Sequence, residues 1–193
     1  MITIKTDSRK VNPGDTFVAL RGIRTDGHDY IEKAIQNGAK KIVCEVGNYT
    51  VSTLVVPDTR TYLNQILKET YNQEFEKIKI IGVTGTNGKT TVTHLLRTAL
   101  NKLGYKSASL GTLGFYIDDK IVEELANTTP DLCDLYDLIS KAIDAGCKYL
   151  VMELSSHSLV NGRVETLEFD HAIFTNVTQD HLDYHVTMEN YVL

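Results

Sequence analysis

Between Ile80 and Thr91 the chain reads Ile-Ile-Gly-Val-Thr-Gly-Thr-Asn-Gly-Lys-Thr-Thr, and no other stretch restricts the fold so strongly. The short apolar run suits a buried strand. From Thr91 onward, Val92, Leu95, Leu96, Ala99, Leu100 and Leu103 recur at helical spacing until Gly104 stops the helix. The glycines therefore lie between a strand and a helix, the setting of a phosphate-binding loop. Gly85 and Gly88 let the backbone curl so that its N–H groups converge, and the helix N-terminus adds partial positive charge at the same point. A polyphosphate fits there. Gly85, Thr86, Asn87, Gly88, Lys89, Thr90 and Thr91 form the expected nucleotide cradle, with the Lys89 ammonium on the β- and γ-phosphates and the Thr90 hydroxyl on a bridging magnesium ion. The usual pattern G-x-x-x-x-G-K-[ST] has glycine in its first slot, where this chain has Val83 flanked by Gly82 and Gly85. The plain alternative is a glycine-rich turn with a surface lysine. The coincidence of strand, loop, lysine, hydroxyls and amphipathic helix favours the nucleotide site.

The 193 residues suffice for one large domain or two small ones. A hydrophobic share of 42%, a charged share of 23% and the lack of any low-complexity run place the chain among soluble globular proteins. The formal net charge of -5 argues against a nucleic-acid partner, which requires a basic face. No apolar stretch approaches the length of a membrane span, and Met1 to Lys5 has no signal-peptide architecture, so a cytoplasmic protein with no membrane partner is expected. Cys44, Cys133 and Cys147 are odd in number, widely spaced and set in apolar segments, which suits reduced core thiols.

Taken in order, Ile2 to Lys5 and Thr16 to Leu20 read as strands, joined as a hairpin through Asn12-Pro13-Gly14-Asp15. A polar loop over Arg21-Gly22 and Asp26-Gly27-His28 precedes a helix through Ile31, Ala34 and Ile35 that Gly38 closes. Lys41 to Glu45 and Thr53 to Val56 read as buried strands, and Pro57-Asp58 leads into a helix with Tyr62, Leu63, Ile66 and Leu67 on its apolar face. The polar segment Asn72 to Lys77 marks a domain boundary. The expected architecture is α/β: a small N-terminal α/β domain, residues 1–75, then a P-loop NTPase-like central domain, residues 76–193, with a mostly parallel sheet and helices on both faces.

In the second domain, Ser107 to Leu110 reads as a strand and Phe115 to Val122 as a hairpin around Asp118-Asp119. Thr129 suits an N-cap and Pro130 the first position of a helix through Leu132, Leu135, Tyr136, Leu138, Ile139, Ala142 and Ile143. Asn127 and Thr128 either precede this cap or hold an anion at the helix N-terminus, and spacing leaves both readings open. Tyr149 to Leu154 is an apolar strand with Glu153 near its C-terminal end, where parallel sheets bind ligands. Glu153 is the candidate magnesium partner of Thr90, against a capping or salt-bridged role, because a carboxylate in an apolar strand is costly without a partner. His171 to Thr175 reads as another buried strand. His181 and His185 are four apart, but no further ligand pair has zinc spacing, and Ser155 with His157 lacks the G-x-S-x-G elbow of a hydrolase.

The chain resembles the Mur ligase family of peptidoglycan synthesis, and within it the MurE type. The resemblance spans nearly all of the chain and is carried by Asp7-Ser8-Arg9, Pro13-Gly14-Asp15, Asp26-Gly27-His28, Gly85 to Thr91, Asn127-Thr128-Thr129-Pro130, Glu153-Leu154-Ser155-Ser156-His157, Gly162-Arg163, Phe174-Thr175-Asn176 and Asp180 to His185. It implies an ATP-dependent ligase that adds the third amino acid, L-lysine or meso-diaminopimelate, to UDP-MurNAc-L-Ala-D-Glu through an acyl phosphate. By the same resemblance Ser8 contacts the uridine end of this substrate, and Asn127, Thr128, Thr129, Ser155, Asn161 and Arg163 hold its diphosphate and sugar. Lys89, one magnesium at Thr90 and Glu153, and a second near His181 bring carboxylate and triphosphate together. Two rivals are a P-loop kinase or hydrolase of a small metabolite and a noncatalytic nucleotide- or UDP-sugar-binding module.

The family's carbamylated lysine aligns just beyond Leu193, and its third domain, which binds ADP and the incoming amino acid, lies outside this sequence. The resemblance thus implies a fragment, truncated at the C-terminus and slightly clipped at the N-terminus, that folds and binds ligands but ligates little or nothing. An assay of ADP formation checks this. Turnover that depends on both the dipeptide substrate and an amino acid refutes it.

Overall fold

Short β-branched strands separated by helices build two sheets, each in its own part of the chain. The computed structural model describes residues 3–22, 25–179 and 186–188. The chain divides into two units, Met1–Thr70 and Tyr71–Leu193.

The first unit holds a four-stranded sheet in the order β1-β2-β3-β4, with β1 Ile4–Lys5, β2 Thr16–Val18, β3 Lys41–Cys44 and β4 Ser52–Val55. The expected hairpin does not form: β1 and β2 run parallel, Ile4 opposite Thr16. The reason lies in the connection. Asp7 caps a 3-10 turn over Ser8–Lys10 by accepting from the Arg9 amide, and Asp15 then accepts from the Asn12 amide. These two side-chain-closed turns bring the chain back to start β2 in the direction of β1. A second 3-10 turn, Gly27–Tyr30, replaces part of the expected polar loop and feeds α1, Ile31–Gln36. Gly38 follows α1 at φ +101, its N–H on the Ile35 carbonyl, as the C′ residue expected there. Phe17, Ile31, Ala34, Ile42 and Cys44 form the core. β4 has a single neighbour and is half-exposed, not buried.

Arg21, Asp26, His28 and Glu45 bind the loop after β2 to the end of β3. Arg21 Nε donates to Glu45 Oε2 at 2.5 Å, and His28 Nε2 accepts from the Glu45 amide while Nδ1 meets Asp26 Oδ1 at 2.6 Å. The Arg21 guanidinium, with the Thr59 amide, lowers the Glu45 carboxyl below its ordinary range, and the His28 amide and ring do the same for Asp26. Helix α2, Thr59–Phe75, runs on through Asn72–Glu74, where the sequence suggested a polar separator. Within the second unit, Tyr71 and Phe75 pack on Tyr136 at centroid distances of 5.2 and 4.8 Å, which gives those last turns an apolar anchor.

The second unit has a six-stranded sheet in the order β10-β5-β9-β6-β7-β8. Its strands are β5 Lys79–Thr84, β6 Ser107–Gly111, β7 Gly114–Ile117, β8 Lys120–Glu123, β9 Tyr149–Glu153 and β10 His171–Phe174. The first four in spatial order are parallel, and β7 and β8 add an antiparallel hairpin that turns at Asp118, φ 53. Helix α3, Lys89–Lys102, lays Val92, Leu96 and Leu100 over Ile81, Val83 and Val151. Leu95 and Leu103, expected on the same face, are 60% and 73% exposed, while Arg97 is buried with its guanidinium 4.7 Å from the Tyr116 ring centroid. Helix α4, Leu132–Asp144, is buried along most of its length and begins later than expected. Asp131 is its N-cap, because the Thr129 hydroxyl is committed to the Glu153 carbonyl at 3.0 Å. The short helix α5 is Ser156–Val160. β10 is the sheet edge and is largely exposed, contrary to the buried strand expected there.

All three cysteines are free and buried, and burial pushes the Cys147 thiol up to about 11. A thiol reagent at pH 8 is therefore expected to label the native chain slowly and to find three thiols after denaturation. Rapid native labelling of Cys147 contradicts this packing.

Candidate functional site

β5 ends at Thr84, the chain turns through Gly85 and Gly88, and α3 begins at Lys89. Both glycines have positive φ, +126 and +87. A side chain at Gly85 collides with Thr175 and with the backbone of Asn176, whereas Gly88 faces open space and is needed for its left-handed conformation alone. Val83 in the first slot of the loop pattern lies inside β5 with no exposure, so the turn starts two residues later, at Gly85. Gly88 is the N-cap of α3, and no side chain caps that helix. Gly88 thus places no competing side-chain acceptor at the helix's positive end. Lys89 Nζ rests on the loop itself, 2.6 Å from the Gly85 carbonyl and 3.0 Å from that of Thr86.

Not all of the loop's amides converge there. Thr86 N–H donates to the Asn176 carbonyl at 2.8 Å, and Asn87 N–H to Asn176 Oδ1 at 3.1 Å. The convergence expected from the glycine pattern is therefore confined to the residues that open α3.

Because β9 lies beside β5, with Val83 opposite Glu153, the Glu153 carboxylate arrives next to the start of α3. Thr90 Oγ1 donates to Glu153 Oε2 at 2.9 Å. Thr112 adds its amide to Oε1 at 2.9 Å and its hydroxyl to Oε2 at 3.2 Å. Glu153 is 2% exposed, and among the described residues no lysine, arginine or histidine pairs with it. Gly111 makes room for it, since a Cβ at that position collides with the carboxylate. Neither Gly111 nor Thr112 stands out in the sequence beyond its place at the C-terminal end of a parallel strand, the end where such sheets gather ligands.

These oxygens fit magnesium. The donor set is hard and oxygen-only, and the buried carboxylate lacks a cation. No three described His, Cys, Asp or Glu residues group to hold a metal. His181 and His185 lie outside the described residues.

The other expected site residues fall into two groups. Ser8 belongs to the first unit, buried in its 3-10 turn, with its carbonyl accepting from Asn37 Nδ2 at 2.8 Å. In the second unit, Thr128 Oγ1 meets Thr112 Oγ1 at 3.1 Å, which joins it to the Glu153 network. Arg163 donates to the Thr129 carbonyl at 2.9 Å and pairs with Asp131 at 3.3 Å, and Ser155 caps α5 by accepting from the Ser158 amide. Asn161 closes that helix. Asn127 is exposed, and it and Thr128 lie upstream of the first turn of α4, whose cap is the acidic Asp131.

The Mur ligase middle domain matches residues 83–193, and the catalytic domain of the Mur ligase family matches residues 2–98. The chain belongs to the Mur ligase family. This Mur ligase chain is 48% identical, over 97% of its length, to UDP-N-acetylmuramoyl-L-alanyl-D-glutamate--2,6-diaminopimelate ligase of Clostridium botulinum, and 45% identical over 98% to the enzyme so named in Phocaeicola vulgatus. It spans 40% of the length of each. Among solved structures it is similar to another UDP-N-acetylmuramoyl-L-alanyl-D-glutamate--2,6-diaminopimelate ligase, with a TM-score of 0.80, 31% identity and coverage of 99% of this chain and 39% of that one. It is also similar to the MurF ligase of Thermotoga maritima in complex with ADP, with a TM-score of 0.68, 25% identity and coverage of 99% and 41%.

In this Mur ligase chain, Gly111→Ala is expected to displace the Glu153 carboxylate and cost about 1–3 kcal/mol, measured by urea unfolding. A loss below about 0.5 kcal/mol, within the usual range for neutral surface changes, contradicts the close approach of the two.

Proposed function

We propose that the chain is the N-terminal part of an ATP-dependent ligase of the MurE type. Such an enzyme activates the D-glutamate carboxylate of UDP-MurNAc-L-Ala-D-Glu as an acyl phosphate and joins it to an amine, for which the names of the relatives favour 2,6-diaminopimelate. The observation that carries this reading is the Thr90–Glu153 pair beside the uncapped start of α3. Because the chain spans about 40% of the relatives' length, the complete reaction is proposed for the longer protein and the binding steps for this chain.

A carboxylate that attacks a triphosphate must overcome repulsion between two anions, so the site has to supply positive charge in fixed positions. Lys89 carries one such charge and needs only to leave the carbonyls of Gly85 and Thr86 to reach a phosphate. The amides that open α3 supply further donors without reorganisation. Thr90 and Glu153 hold magnesium, which when bound screens the two reacting anions from each other. Thr112 keeps the Glu153 carboxylate aimed at Thr90. On the sugar-nucleotide side, Asn127, Thr128, Thr129, Ser155, Asn161 and Arg163 hold diphosphate and sugar, and Ser8 contacts uridine. Of these Arg163 contributes most, since a guanidinium makes charge-assisted bonds to a diphosphate. His181 is the proposed ligand of a second magnesium. No described helix is long and apolar enough to cross a membrane, and a cytoplasmic place of action is proposed with the ligase reading.

Titration calorimetry tests both halves. The chain is expected to bind a nonhydrolysable ATP analogue in a magnesium-dependent way, and Lys89→Ala to weaken it about tenfold or more, the loss of a charged hydrogen bond. Glu153→Gln should abolish the magnesium dependence. UDP-MurNAc-L-Ala-D-Glu is expected to bind more tightly than UDP-MurNAc, and Arg163→Ala to remove that binding. A chain that binds the analogue but neither sugar nucleotide contradicts the MurE assignment.

A further inference from the structure

The chain just after β10 is joined to the phosphate loop by a set of hydrogen bonds. Asn176 pairs twice with the main chain of Asn87: Oδ1 accepts from its N–H at 3.1 Å, and Nδ2 donates to its C=O at 2.9 Å. The Asn176 carbonyl accepts from Thr86 N–H at 2.8 Å. Thr175 Oγ1 reaches the Asn87 carbonyl at 2.8 Å and the Thr84 carbonyl at 3.2 Å. Thr178 N–H donates to Thr86 Oγ1 at 3.0 Å, that hydroxyl donates to the Thr178 carbonyl at 3.1 Å, and Asn87 Nδ2 donates to Thr178 Oγ1 at 3.3 Å. Gly85 completes the fit, because any side chain there runs into Thr175 and Asn176.

We infer that Asn176 is the positioning residue of the phosphate loop: its amide fixes Asn87 and its carbonyl fixes Thr86, so the loop holds its phosphate-ready shape before any ligand arrives. This rests on the reading of Gly85–Thr91 as a nucleotide site. A loop with two left-handed glycines has many competing conformations, and ordering each residue costs backbone entropy. Where that ordering is done in advance by the protein, less of the ligand's binding energy goes into it. The arrangement also assigns the donors. Thr86 and Asn87 spend their amides on Asn176, which leaves the phosphates to Lys89 and the amides that open α3. Only asparagine serves at 176 in this way, since the pairing with Asn87 needs one donor and one acceptor on a short side chain. Aspartate keeps the acceptor and sets a negative oxygen against the Asn87 carbonyl.

The test uses two probes, a nonhydrolysable ATP analogue with magnesium and inorganic tripolyphosphate, titrated by calorimetry into the wild-type chain, Asn176→Ala, Asn176→Asp and Tyr136→Phe. Tyr136 bonds to Thr166 far from the loop in sequence and serves as a stability control. Asn176→Ala and Asn176→Asp are expected to bind both probes about tenfold more weakly or worse, the effect of losing one or two hydrogen bonds. Tyr136→Phe should stay within twofold while its melting temperature, read by circular dichroism, falls. If the wild type binds and both Asn176 variants stay within twofold of it, the inference is overturned. If the wild type binds neither probe, the nucleotide reading itself falls and the inference with it. Should the variants fail to fold, hydrogen exchange on the ligand-free wild type decides: Thr86 and Asn87 amides are expected to exchange at least about 100-fold slower than in an unstructured peptide, and exchange at the unstructured rate overturns the inference.

Discussion

A buried carboxylate at the end of β9 sets the terms for what surrounds it. Glu153 carries negative charge into a part of the sheet with almost no access to water, and a charge so placed must be met by donors or by a cation. The fold supplies Thr90 from the helix after β5 and Thr112 from the turn after β6, the two strands that flank β9. Gly111 is small because the carboxylate occupies the space its side chain would take. Thr129 then binds the carbonyl of the same residue, and Arg163 binds the carbonyl of Thr129. Glu153 thereby joins Thr90 and Thr112 through its side chain and Thr129 through its carbonyl, and Arg163 is attached through Thr129.

The first unit uses charge differently. Arg21, Asp26, His28 and Glu45 lie at or near the surface and tie the loop after β2 to the end of β3. The folded-state values of the Glu45 and Asp26 carboxyls are lowered, so their contribution is fully present at neutral pH and fades only as the pH falls through those lowered values. Exposed pairs of this kind are individually weak, and their use here is to fix a loop more than to add stability.

Local chemistry was legible in the sequence; partnership across distance was not. The strand–loop–helix around Lys89, the Gly38 end of α1 and the turn at Asp118 all follow from residues within a few positions of one another. The placement of Glu153 beside Thr90 was readable because a carboxylate in an apolar strand signals its own need. By contrast, the parallel pairing of β1 with β2 depends on two capped turns, and the exposure of β4 and β10 depends on strand order, which no local pattern records. Thr129 looked like an N-cap until its hydroxyl was claimed by Glu153, a residue 24 positions away. Leu95 fitted the apolar stripe of α3 by spacing, yet Arg97 took the interior because Tyr116 offers its ring there.

The bond between Asn176 and the phosphate loop spans 89 positions of chain. Contacts of such separation form late, since a long loop must close before they repay its entropy. During synthesis from the N-terminus, the strand, loop and helix around Lys89 emerge well before residues 175–178 exist to hold them. The glycine turn must therefore wait, unbraced, for the edge strand of its own sheet to be made, and it becomes one of the last parts of the second unit to mature.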